Sequence, residues 1–249
     1  MSTIKLTAGN DTVDVGFGLS GTVNGVSTPI VGNTIDGGTG INTMTMSYPT
    51  QDPFFQIGTS DAAIVTLTSA SGAVNFVNFQ KFQFSDVTFD TGSAGADKIT
   101  STSARGDVLY GFAGNDILTG GAGADSMYGG SGNDHLIATS GKSQMYGGAG
   151  NDTITSGTGT DLMSGGMGHD LFVISAHSTK DTITDFTAAG VNSDVLNLHN
   201  SGLKVASFAA LHTHMAQVGA NVVIHLDSTH TVTLDNVHLA SLTAHDFVL

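Results

Sequence analysis

The sequence predicts an all-β chain built around a flattened parallel solenoid, and three observations carry that reading. From Thr102 the chain repeats every nine residues as TSARGDVLY, GFAGNDILT, GGAGADSMY, GGSGNDHLI, ATSGKSQMY, GGAGNDTIT, SGTGTDLMS and GGMGHDLFV, with GSAGADKIT one residue out of phase before them. A large apolar residue holds the eighth place of each nonapeptide: Leu109, Leu118, Met127, Leu136, Met145, Ile154, Met163 and Phe172, with Ile99 in the leading copy. All 21 acidic residues are aspartate, a turn former, where glutamate would favour helix. A fixed period of this kind defines a stacked architecture in which each repeat buries its apolar face only against its neighbours.

Residues 1–91 come first and read as β-structure. Alternating Thr, Val, Ile and Phe predict strands over Ile4–Thr7, Asp11–Val15, Ile64–Thr68, Phe76–Phe84 and Val87–Phe89. Two stretches look like eroded nonapeptides, from Ala8 to Val13 and from Gly37 to Met44, the second with Asn42 in the aspartate place. Together they suggest a sandwich or an irregular roll. The prolines Pro29, Pro49 and Pro53 all lie here, and Tyr48–Phe55 is the expected loop. Gly16–Gly21 matches GxGxxG after a strand, yet a dinucleotide site needs a helix next, and Asn24-Gly25, a β-branched run and Pro29 follow instead.

Residues 92–173 are the repeats. Six glycine-rich residues ending in Asp cannot propagate a helix, because glycine is permissive and Asp hydrogen-bonds its own backbone, so they turn. The next three residues form a short strand whose middle side chain points inward and whose neighbours point outward. The pattern GGxGxDxUx resembles the calcium-binding nonapeptide of the RTX proteins, over roughly a third of the chain. The resemblance implies a parallel β-roll with two nonapeptides per coil, turns alternating between two edges, and calcium between successive turns of one edge. Calcium takes six to eight hard oxygens, which glycine-rich turns can offer as carbonyls beside an aspartate charge.

Sorted by edge, the turns are unequal. One edge carries Asp97, Asp116, Asp134, Asp152 and Asp170; the other carries Asp107, Asp125, Ser143 and Asp161, with Arg105 and Lys142 expected to replace missing calcium charge. On the resemblance, the residues holding calcium are Gly111, Ala113, Asn115 and Asp116; Gly129, Ser131, Asn133 and Asp134; Gly147, Ala149, Asn151 and Asp152; and Gly165, Met167, His169 and Asp170. Gly120, Ala122, Asp125, Asp161, Asp107 and Asp97 are the secondary set. Three calcium ions are expected, between Asp116 and Asp134, Asp134 and Asp152, and Asp152 and Asp170, with up to two weaker sites. Tyr110, Tyr128 and Tyr146 recur every second repeat and predict an outward aromatic ladder, covered by the chain itself or open to a partner or glycan.

Residues 174–249 read as a β-rich cap with one short helix. Asp181–Phe186 and Asp194–Leu198 resemble the segments that close such rolls, and the resemblance makes Asp185 the residue completing the last calcium site, with Asp181 second. Ser207–Gln217 predicts the helix, Ser207 capping it and Gly219 ending it; Val222–Leu226 and Thr231–Leu234 predict a hairpin around Asp227–Thr229. Most of the histidines lie beyond Gly168, but their spacing matches no zinc motif, and His212 and His214 fall on different helix faces.

The remaining composition limits function. A formal charge of -14 with 7 Lys and Arg argues against nucleic acid and anionic lipid, and no apolar run reaches membrane-spanning length. The chain has no cysteine and no N-terminal signal peptide pattern. Its ending Asp246-Phe247-Val248-Leu249 resembles the uncleaved signal of type I secretion substrates of Gram-negative bacteria. Gln80–Asp86 resembles a strand that precedes such repeats in secreted proteins. These features lead to an extracellular, calcium-binding, non-enzymatic structural protein that self-associates, with matrix, surface-layer or adhesive roles. A glycan-binding module using the tyrosines, and an enzyme with the roll as its export device, are the rival readings.

Overall fold

The computed structural model describes residues 90–249 in full, apart from 177, 189 and 191, and within residues 1–89 it describes the backbone of the strands. The chain divides into two compact units, Met1–Ser93 and Ala94–Leu249.

In the first unit, Thr3–Lys5, Thr34–Asp36, Gly72–Val77, Ile64–Ser69 and Gln56–Asp61 lie side by side in that order. A second group runs Thr88–Thr91, Lys81–Gln83, Thr43–Met46, Thr12–Val15, Ser20–Val23 and Val26–Pro29. The strands that end the two eroded nonapeptides pair in parallel, Val13 opposite Met44, which is the register a repeat requires. Ser20–Val23 is a strand antiparallel to Thr12–Val15, where a dinucleotide site would need a helix. The strand expected over Phe76–Phe84 is two strands of different groups: Val77 lies opposite Ile64, and Phe82 opposite Met44. Apolar alternation on both sides of the break hid it. The loop expected over Tyr48–Phe55 lies outside the described residues.

The second unit is a parallel β-solenoid of about five coils. Its first sheet stacks the six-residue strands Val108–Ala113, Ser126–Ser131, Gln144–Ala149 and Leu162–Met167, with Leu109, Met127, Met145 and Met163 in register. Facing it are the three-residue strands Lys98–Thr100, Ile117–Thr119, His135–Ile137, Thr153–Thr155 and Leu171–Val173. The inward column from Leu109 to Phe172 is wholly buried, and Ile99, at the start, is partly so. Each such side chain contributes about 1.5–3 kcal/mol. A core one residue deep leaves much of the fold to contacts between turns.

The two strand lengths were not legible in a uniform repeat. On the Asp116 edge the chain stays extended into the turn, because Gly130, Gly148 and Gly166 adopt φ of +112°, +116° and +96° and remain in the ladder. On the other edge the turns form no continuous ladder, only isolated β-bridges: Ala122 with Ser140, Ser140 with Thr158 and Gly159 with Ser178. Phe112 takes the place of those glycines in the first consensus turn at φ +76°, its ring stacked on Tyr110.

The sheets do not stop at Val173. Lys180–Ile183 joins the long-strand sheet and Val195–Asn197 the short-strand sheet; Thr231–Leu234 and Phe247–Val248 then extend each by a further parallel strand. Here the core widens to include Leu211, Val222, Ile224, Val232 and Leu234. The helix is shorter than expected, Phe208–His212, with the Ser207 hydroxyl accepting the Ala210 N–H at 3.2 Å. It ends where the Thr213 hydroxyl bonds back to the Ala210 carbonyl. Met215–Val218 is a strand antiparallel to Asn221–His225, so Gly219, at φ +63°, turns a hairpin and does not stop a helix. The expected hairpin of Asn221–His225 with Thr231–Leu234 is present, its turn held by Asp227 Oδ1 accepting from the Thr229 and His230 amides. Gln217 straps the outer side of Met215–Val218. Its Nε2 donates to the carbonyls of Gly219, Asn221 and Val237, and its Oε1 accepts the Leu239 N–H at 2.7 Å.

Candidate metal centre

From Asp116 onward each aspartate of the repeats uses one oxygen to hold the turn before it on its edge. Along the first edge the N–H groups of Asp97, Asp116, Asp134 and Asp152 donate to Oδ1 of Asp116, Asp134, Asp152 and Asp170 at 2.7–2.8 Å, and Asp170 donates to Asp194 at 3.0 Å. Along the second, Asp107 donates to Asp125, Asp125 to the Ser143 hydroxyl, Ser143 to Asp161 and Asp161 to Asp181. The two edges are therefore sorted as the repeat requires, and each row has one more aspartate than the nonapeptides supply.

On the second edge the other oxygen is paired at Asp107 and Asp161 and unpaired at Asp125 and Asp181; on the first it is unpaired in every consensus turn. Oδ2 of Asp116, Asp134, Asp152 and Asp170 is buried with no hydrogen-bond partner, although each residue is only 1–2% exposed. Burying an unpaired charge is costly, and burial is the main reason these carboxyls are pushed above the usual range, Asp152 to about 7. A bound cation or a proton would satisfy them.

Glycine at the first place of the turn makes room for such a cation. A methyl carbon on Gly111 would lie 2.3 Å from Asp116 Oδ2 and 2.6 Å from the Gly129 carbonyl oxygen. The same pair of oxygens meets at Gly129, from Asp134 and Gly147, and at Gly147, from Asp152 and Gly165. Three cradles thus join a carboxylate to a carbonyl of the next coil. At Gly165 the nearest atoms all belong to Asp170, and at Gly120 to Asp125, with no carbonyl as close as in the three cradles. Ser156 stands in the first place of the Asp161 turn, and there Asp161 Oδ2 accepts the Gly157 N–H instead. Among the described residues no three His or Asp side chains gather as a metal cluster, so an ion here must draw most of its oxygens from the backbone. Calcium accepts that donor set, whereas zinc prefers nitrogen and sulfur.

The outer rim of the consensus edge is also ordered. Asn115 Oδ1 accepts the Asn133 N–H, Asn133 that of Asn151, and Asn151 that of His169, whose ring nitrogen meets the Ser193 carbonyl. The carbonyls of Ser131, Ala149 and Met167 accept from Gly114, Gly132 and Gly150. The side-chain oxygens of Asn115, Asn133 and Asn151 are thus taken up by the turns, and Ala113 sits in its strand beside Ser131.

Residues 101–136 and 137–172 match the family model of the RTX calcium-binding nonapeptide repeat. The chain carries RTX calcium-binding repeats. No curated protein matches it in sequence. Among solved structures, the chain is similar to an extracellular lipase of Serratia marcescens at 16% identity and a TM-score of 0.25, covering 99% of this chain and 40% of the lipase. It is also similar to a subunit of a mannuronan C5-epimerase of Azotobacter vinelandii at 24% identity and a TM-score of 0.36, covering 64% of this chain and 80% of that one. RTX repeats are a calcium-binding structural module.

The other expected residues fall as follows. Asp185 lies near enough to raise the Asp170 carboxyl, but its own oxygens accept from the Ser164 hydroxyl at 2.6 Å and the Gly165 and Gly166 amides at 3.1 and 2.9 Å. Those amides belong to a strand whose parallel partner ends at Ile183, so Asp185 finishes the ladder. Asp181 closes the second row with its Oδ2 unpaired. Lys142 is exposed and makes no ion pair with a described carboxylate, so its ammonium does not replace calcium by direct contact. Asp194 was missed, although Asp194-Val195-Leu196-Asn197 repeats the D-x-U-x end of a nonapeptide. Among the described residues no helix is long and apolar enough to cross a membrane.

Proposed function

We propose that the chain is a secreted calcium-binding structural protein that folds outside the cell when calcium enters the consensus edge, and then associates with copies of itself in a matrix, surface layer or adhesive coat. The observation that supports it is the row of buried, unpartnered oxygens on Asp116, Asp134, Asp152 and Asp170. Where calcium is scarce, that row repels itself and glycine-rich turns are entropically costly, which favours an unfolded chain able to pass a type I exporter. Where calcium is plentiful, binding free energy becomes folding free energy.

The three cradles are the principal sites, and Asp170 beside Asp185 is a fourth. Three or four ions reduce the formal charge from -14 to between about -8 and -6, which lowers repulsion between copies. The strapped edge at Met215–Val218 directs association to the sheet faces. The tyrosine ladder weighs against glycan stacking: Tyr110, Tyr128 and Tyr146 stack on one another at 4.8 and 5.1 Å, within 12° of parallel, and so present edges outward. This reading assigns the chain no reaction.

A calcium titration from zero to about 10 mM, which brackets extracellular-site affinities, tests it with circular dichroism and light scattering in parallel. Folding with a rise in mass is expected. Folding to a stable monomer would remove the assembly, and no folding response would overturn the whole reading.

A further inference from the structure

We propose that calcium holds this roll along one edge only, and that serine and threonine hydroxyls hold the other edge in the ion's place. The inference rests on the calcium reading above and concerns which turns take part.

On the Asp125 edge, many of the oxygens a cation would need are already occupied by donors, Oδ2 of Asp125 and Asp181 excepted. The Thr139 hydroxyl donates to the Gly120 carbonyl at 2.5 Å, Ser175 to Gly157 at 2.7 Å and Thr179 to Gly159 at 2.6 Å. The Ser101 hydroxyl donates to Asp107 Oδ2, and the Gly157 amide to Asp161 Oδ2. A hydroxyl hydrogen carries partial positive charge, so it meets an oxygen lone pair as a cation does, without needing six to eight ligands.

The backbone adds a second lock. The N–H groups of Ala122, Thr158 and Thr179 donate to the carbonyls of Ser103, Thr139 and Gly159, turn to turn. The substitutions that block metal also supply these donors. Ser156 fills the first-place cradle of its own turn, Ala138 fills that of the next turn back, and Ser143 removes a charge while its hydroxyl accepts the Asp125 N–H. Ser101, the residue that shifts the leading repeat out of phase, is the one bonded to Asp107.

Asp125 keeps an unpaired Oδ2, but the atoms nearest a methyl carbon on Gly120 are all of Asp125 itself, with no carbonyl of the next coil as close as in the three cradles. One carboxylate oxygen falls far short of a calcium shell. The result is an asymmetric roll. One side closes only with an ion at each step, and the other is closed by the chain's own side chains.

Native mass spectrometry of the full chain in saturating calcium counts the ions. Asp116→Asn, Asp134→Asn and Asp152→Asn are each expected to lower the count by one. Asp125→Asn is expected to leave both the count and the folding midpoint in calcium as in the parent. A lower count for Asp125→Asn would overturn the proposal. Anomalous scattering from calcium in crystals of the unaltered protein needs no variant to fold: ions confined to the Asp116–Asp170 edge support the proposal, and an ion between the Asp107 and Asp125 or the Ser143 and Asp161 turns refutes it. A chain that binds no calcium would instead fell the function proposed above.

Discussion

Replacing Gly129 with alanine separates the metal role of the first-place glycine from its backbone role. Gly129 is not in the left-handed region, so alanine meets no dihedral penalty there. At such a site the substitution ordinarily stabilises by about 0.4–1 kcal/mol, by restricting the unfolded chain. Here the added carbon would lie 2.4 Å from Asp134 Oδ2 and 2.6 Å from the Gly147 carbonyl oxygen, inside the central cradle. With a site dissociation constant of about 10⁻⁴ to 10⁻³ M, one ion at about 10 mM calcium contributes roughly 1.4–2.7 kcal/mol. Gly129→Ala should therefore lose about that much of the calcium-dependent increment, read as the rise in unfolding free energy between calcium just sufficient to fold the chain and about 10 mM. An unchanged increment, or a variant more stable in calcium, would refute the cradle.

Three further outcomes are expected. In chelator the roll should be more stable at pH 5 than at pH 8: burial raises Asp152 to about 7 and Asp181 and Asp194 to about 6, so the folded state holds more protons than the unfolded one, and stability is lost as pH rises through that window. The β-structure signal in circular dichroism checks this, and more folded chain at pH 8 would contradict it. Tyr128→Ala removes both ring contacts of the central tyrosine and should cost about 1–3 kcal/mol, with the ion count unchanged by mass spectrometry. Asp185→Ala strips the acceptor from the Gly165 and Gly166 amides and should destabilise by about 1–3 kcal/mol, with faster hydrogen exchange at those two positions; unaltered exchange would argue against its strand-ending role.

The parts of the fold legible in the sequence are those fixed by local period. The column from Leu109 to Phe172 and the sorting of aspartates onto two edges follow from nine residues per half coil, which no distant contact can alter. What was hidden depends on partners far along the chain. Asp194 lies 24 residues beyond the aspartate it serves and Asp181 lies 20 beyond, so a strict count of 18 passes over both. The roles of Thr139 and Ser175 become visible only when coils are superposed, because each bonds a carbonyl 18 or 19 residues away. The helix from Ser207 was overextended because Met215 and Val218 fit either period, and pairing with Asn221–His225 decided for strand.

The two-fold alternation of turns also constrains how such a chain can change length. Each coil spends one nonapeptide on either edge, so removing a single nonapeptide would exchange the sides of every turn beyond the cut. The turn of Asp152 would then stack on a hydroxyl-lined neighbour, and that of Asp161 on one shaped for calcium. Growth or loss must come in pairs, eighteen residues at a time, for both edges to keep their chemistry. Parity, as much as composition, is what a lengthened descendant of this chain would have to conserve.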